Sequence, residues 1–77
     1  MSPKLPRVTG PAVARALQRA GWIAKRQRGS HLRLEHPTQV GLMVTVPMHA
    51  GEDLPVGTLK AILDTTGLSV DELRKLL

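Results

Sequence analysis

No cysteine occurs anywhere in the 77-residue chain, so disulfide staples and thiolate zinc sites are both excluded. Phenylalanine and tyrosine are absent as well, leaving Trp22 as the only aromatic side chain. That poverty argues against a platform on which successive bases stack, the device of many single-strand binders. No run approaches the ~20 apolar residues of a membrane span, and the opening residues MSPKLPR carry no apolar segment of a secretion signal. A soluble, cytoplasmic protein with no membrane partner is therefore expected. Acidic residues are missing from the first 34 positions, which hold Lys4, Arg7, Arg15, Arg19, Lys25, Arg26, Arg28 and Arg33. All 6 acids follow: Glu35, Glu52, Asp53, Asp64, Asp71 and Glu72. With a net charge of +5 so unevenly spread, an anionic partner is expected, and nucleic acid is the commonest one.

The length fits one domain, which at this size buries only about 60% of the surface its unfolded chain exposes. Residues 1 to 8, broken by prolines, read as a flexible leader. Thr9 or Gly10 can cap a helix with Pro11 in its first turn, and Val13, Ala16, Leu17 and Ala20 form an apolar stripe that stops at Gly21. From Trp22 the period shifts toward two. Gly29-Ser30 then supplies a two-residue hairpin loop with glycine first, the order of a type II′ turn. In that register Arg28 faces His31, Arg26 faces Arg33, and Gln27 and Lys25 face Leu32 and Leu34. Parity sets Ile23 on the buried face and Trp22 awkwardly on the open one, unless a bulge near Ala24 intervenes or Trp22 lies outside the ladder. LMVTVP is a third strand ended by Pro47. A second helix starts at Pro55 with the stripe Val56, Leu59, Ile62 and Leu63 and ends at Gly67. Ser69 and Glu72 match a capping box for a short terminal helix, with Leu68 and Leu73 as its hydrophobic staple.

The stretch RQRGSHLRLEHP, residues 26 to 37, is the one that carries chemistry. Cleaving RNA without a metal requires a proton taken from a 2′-hydroxyl and another given to the leaving 5′-oxygen, and an imidazole with its ordinary pKa near 6.5 can do either. Guanidinium groups beside it can hold the scissile phosphate and stabilise charge in the transition state. His31 is thus a candidate acid or base, with Lys25, Arg26, Arg28, Ser30 and Arg33 as expected RNA contacts. The residues alone leave open that His31 merely stands at an exposed strand start among solvated arginines.

Thr9-Gly10 opening a helix, Ala20-Gly21-Trp22, Arg26 through His31, Thr45-Val46-Pro47-Met48-His49 and Leu54 through Leu63 together resemble the HicA family over nearly all of residues 9 to 70. The resemblance implies the toxin half of a type II toxin-antitoxin pair, an mRNA interferase with a HicB-type antitoxin as partner. It also implies an α+β fold like the double-stranded-RNA-binding domain, α-β-β-β-α, here with an added C-terminal helix and a three-stranded antiparallel sheet packed on helices. His31, in the Gly-Ser-His position, is then the catalytic histidine. Leu32 departs from the pattern, since many relatives carry a second histidine there.

His49 and Lys60 are candidates for accessory roles, His49 as a second acid-base group or a loop anchor and Lys60 as a phosphate contact or plain helix surface. His36 reads as turn surface. A metal site from His31, His36, His49 and Glu52 or Asp53 has no ligand spacing behind it, so no metal and no cofactor are expected. The expected function is a metal-independent endoribonuclease acting on mRNA. Two rivals share its electrostatics: a non-catalytic RNA-binding module, and an interaction protein whose basic half docks an acidic surface.

Overall fold

Thr9 marks the point where the chain turns helical. Its Oγ1 accepts the Ala12 N–H at 3.3 Å, satisfying one of the donors that a helix start leaves unpaired. The computed structural model describes residues 4 to 77, and helix α1 (Gly10–Arg19) runs from this cap with Pro11 in its first turn. After it come strands β1 (Ile23–Arg28), β2 (His31–Glu35) and β3 (Met43–Pro47), then helices α2 (Val56–Thr66) and α3 (Val70–Leu76). The fold is α+β, with the expected α-β-β-β-α order and the added terminal helix. The sheet order is β1-β2-β3, antiparallel throughout.

Gly29 takes φ 59 while no non-glycine residue among those described has a positive φ, the sign pattern of a type II′ turn in which only the first loop residue is left-handed. Beyond the turn, Arg28 pairs with His31, Gln27 with Leu32, and Arg26 with Arg33. The next pair is Ala24 with Leu34, so Lys25 is the extra residue of a bulge and does not face Leu34 as the even register predicted. The bulge flips parity for the start of β1. Ile23, expected on the buried face, instead pairs with Glu35 and is 43% exposed. Trp22 lies before the strand and is buried.

Alternation on the other two strands sends Leu32, Leu34, Val44 and Val46 toward the helices, where they meet Val13, Ala16, Leu17, Leu59, Ile62, Leu63 and Leu73. Leu17, Leu34, Leu59 and Leu73 are fully buried, each contributing about 1.5–3 kcal/mol over exposure. The stripes differ from expectation at their ends. Ala20 is the exposed C-cap of α1, while Gly10 and Ala14 join its buried side. Val56 projects into solvent at the first turn of α2.

Residues 1 to 3 of the expected leader lie outside the described residues. The remainder is docked. Val8 is buried in the core, Leu5 packs against it, and the Val8 carbonyl accepts the Leu54 N–H at 2.7 Å. The Arg74 guanidinium also donates to the Lys4 carbonyl. At the far end, Ser69 and Glu72 form the capping box in both directions, Glu72 N to Ser69 Oγ at 3.0 Å and Ser69 N to Glu72 Oε1 at 2.9 Å. The backbone N–H held by the carboxylate lowers the Glu72 pKa below its ordinary value. Among the described residues no helix is long and apolar enough to cross a membrane.

Candidate active site

With one sheet face given to the core, the other is open, and the register decides what stands on it. Arg28, His31 and Pro47 lie abreast at one end, Arg26, Arg33 and Thr45 in the middle, and Ile23, Glu35 and Met43 at the other end. The basic part of this face is concave. Arg26, Arg28, His31, Arg33 and Thr45 line a shallow depression of about 190 Å³.

His31 owes its position to restraints on both sides. The tight turn delivers it as the first residue of β2, and the Met48 N–H donates to the Ser30 carbonyl at 2.5 Å, pinning the turn to the end of β3. Its ring is exposed. The Ser30 hydroxyl stands 3.5 Å from His31 Nδ1, the outer limit of hydrogen-bonding reach, and so is a loose neighbour and not an orienting clamp. Of the three arginines that line the depression, only Arg33 has a carboxylate partner among the described residues, Glu35 Oε2 at 3.1 Å. Arg33 is exposed and Glu35 partly so, so the pair is weak and an incoming anion can compete with it. No described carboxylate lies within ion-pair range of Arg26 or Arg28. Two guanidinium groups and an imidazole are therefore open to a phosphate, with a third guanidinium lightly held beside them.

The other expected site residues are dispersed. Lys25 sits at the bulge and does not line the depression. Lys60 borders a separate hollow with Leu5, Val56, Leu63, Asp64 and Val70. His49 borders a third, with Pro47, Glu52, Asp53, Leu54 and Pro55. Its ring has no hydrogen-bond partner among the described residues; the loop is tied instead by its backbone carbonyl, which accepts the Glu52 N–H at 3.3 Å. No three His, Cys, Asp or Glu side chains of the described residues gather into a ligand set.

Two residues carry more than the sequence indicated. Thr45 completes the depression from β3, and the signal was available: a polar residue at an outward position of an apolar strand, opposite Arg33 once β2 and β3 are paired. His36 is a structural residue, whereas plain turn surface was expected. Its Nδ1 accepts the Thr38 N–H at 3.1 Å and the Gln39 N–H at 2.9 Å, and its ring meets Trp22 edge to face at 5.3 Å. A histidine followed by proline gives no sequence sign of that double acceptance.

Residues 10–68 match the family model described as HicA toxin of bacterial toxin-antitoxin, which covers the helix, the whole sheet and α2. The chain belongs to the HicA toxin family. Among curated proteins none matches it. As a HicA toxin it has an antitoxin as its implied partner, and the matched region contains every residue of the basic depression.

Proposed function

We propose that this HicA toxin is a metal-independent endoribonuclease that cleaves mRNA, with His31 as its general acid or base and Arg26, Arg28 and Arg33 as its phosphate grip. The observation that carries the proposal is the single depression in which the exposed imidazole and the guanidinium groups meet. RNA holds its own nucleophile, so an enzyme that positions the phosphate and moves protons has supplied most of what the reaction needs. The arginines attract the strand and offset charge on the phosphorane-like transition state. His31 takes the proton of the 2′-hydroxyl or delivers one to the departing 5′-oxygen. Lys25 at the bulge extends the basic edge along which the strand runs. A cytoplasmic setting follows from the substrate, and the antitoxin is of the HicB type.

Product ends test the reaction type. The purified protein incubated with RNA in EDTA should leave 2′,3′-cyclic phosphate, or the 3′-phosphate formed from it, together with 5′-hydroxyl ends. Ends bearing 5′-phosphate, formed only with added Mg²⁺, would contradict it. RNA that is bound and left whole would assign the depression to a binding module.

A further inference from the structure

The sheet has two edges, and they are built differently. Edge β1 reads IAKRQR, with a bulge at Lys25 and arginines on either side of Gln27. Charges and bulges of this kind are how a sheet edge is closed to added strands. Edge β3 reads MVTVP, has no charged residue, and pairs with β2 in unbroken register.

Backbone geometry decides which groups β3 leaves open. Met48 N–H bonds the Ser30 carbonyl and His36 N–H bonds the Leu42 carbonyl, one pair at each end of the ladder. In an antiparallel ladder bonded and non-bonded pairs alternate, so Leu42, Val44, Val46 and Met48 aim their backbone at β2. Met43 and Thr45 aim N–H and C=O away from the sheet. Pro47 has no N–H to offer, and its carbonyl is covered by Gly10. Beside Met43 and Thr45 a groove of about 430 Å³ runs along α2, lined by Gly57, Thr58, Ala61 and Thr65. Small side chains on that helix leave room for those of an added strand.

We propose that the β3 edge, at Met43 and Thr45, is a docking site for an extended acidic segment of the antitoxin, which joins the sheet as its fourth strand. Charge selects the occupant. A second copy paired edge to edge would set two arginine faces in one sheet between chains of net charge +5, whereas an acidic strand gains from the same field. Alternation sends half of its side chains into the groove of α2 and half onto the open face. Neighbouring strands are about 4.8 Å apart, so a glutamate beside Thr45 stands two strands from Arg33 with only the small threonine between them. The added strand thus holds carboxylates against the same arginines that grip RNA. The inference rests on family membership and on the depression as the RNA site, and its readout does not depend on cleavage.

Amide exchange tests it, comparing the full chain alone and saturated with antitoxin, taken as the product of the reading frame adjoining this chain's gene. The Met43 and Thr45 amides should exchange freely in the chain alone and become protected in the complex. Met43→Pro removes one outward donor at an edge position where proline is accepted, and Ala61→Arg fills the groove from an exposed helix position. Each should weaken antitoxin binding by about tenfold, the scale of one lost hydrogen bond or a blocked contact, while Lys75→Ala leaves it unchanged. Both variants should still cleave RNA. Unprotected Met43 and Thr45 amides in a saturated complex would overturn the docking site, and protection that grows with concentration of the chain alone would give the edge to a second copy. A chain that never cleaves RNA would overturn the ribonuclease proposal and leave the amide result standing.

Discussion

Gly10 has no room for a side chain: a Cβ there would stand 1.6 Å from the Pro47 carbonyl oxygen. Pro47 is the cross-strand partner of His31, so the start of α1 is seated on the strand end that positions the candidate catalytic residue. Backbone cannot yield as a flexible side chain can. Gly10→Ala should therefore destabilise the protein by about 1–3 kcal/mol, the range for forced overpacking. Gly57→Ala, in a helix where nothing lies within 4 Å, should stabilise by up to about 1 kcal/mol. Urea unfolding of both variants checks the contrast, and equal effects would remove the special status of Gly10.

His36 holds the turn between β2 and β3 through its Nδ1. Removing it in His36→Ala leaves the Thr38 and Gln39 N–H groups without their acceptor and should lower stability by about 1–2 kcal/mol. Because asparagine side chains accept from the backbone two residues on, His36→Asn should recover part of that loss without the Trp22 contact. Amide exchange at Thr38 and Gln39 reports the bonds directly.

Most of the architecture was legible because local signals agreed with one another: Thr9 and Ser69 as caps, Gly29 as turn, and the alternation of Leu42 to Val46. What was not legible depended on partners distant in the sequence. Trp22 and Ile23 conflicted in parity, which announced an irregularity in β1, but only pairing with β2 fixes the bulge at Lys25. Val8 looks like leader until Leu54 is seen to bond it, and Val56 continues an apolar stripe that the body does not reach. Within the candidate site, His31 and the arginines were legible because one hairpin carries nearly all of them. Thr45 was missed because it arrives from the next strand.

Glu72 gives acid sensitivity a defined sign. Its pKa is lowered in the folded protein, so its contribution is fully present above the ordinary value of 4.5 and is lost as pH falls through the lower folded value. Glu72→Gln keeps a capping-box side chain that does not titrate. Thermal unfolding from pH 7 to pH 3 should show the variant losing less stability than the parent below about pH 4.5, with no difference in slope above it.

Among the described residues Arg33 is the one site arginine with a carboxylate partner, so the arginines should not respond alike. Arg26→Ala and Arg28→Ala should each weaken RNA binding and reduce the slope of log K against log salt by about 0.7–0.9. Glu35→Gln releases Arg33 and should tighten RNA binding. Fluorescence anisotropy over a salt series distinguishes these effects, and unchanged slopes in both arginine variants would move the RNA surface elsewhere.

His31 itself decides the central claim. Single-turnover cleavage of one RNA by the parent chain and by His31→Ala, both shown folded by circular dichroism, measures what the imidazole contributes. Because His31 is exposed and lies outside the hydrophobic core, the variant should stay folded and bind RNA with little change. It should cleave at least ~10²-fold more slowly, as expected for loss of a general acid or base. A folded His31→Ala protein that cuts RNA at the parent rate would contradict the assignment.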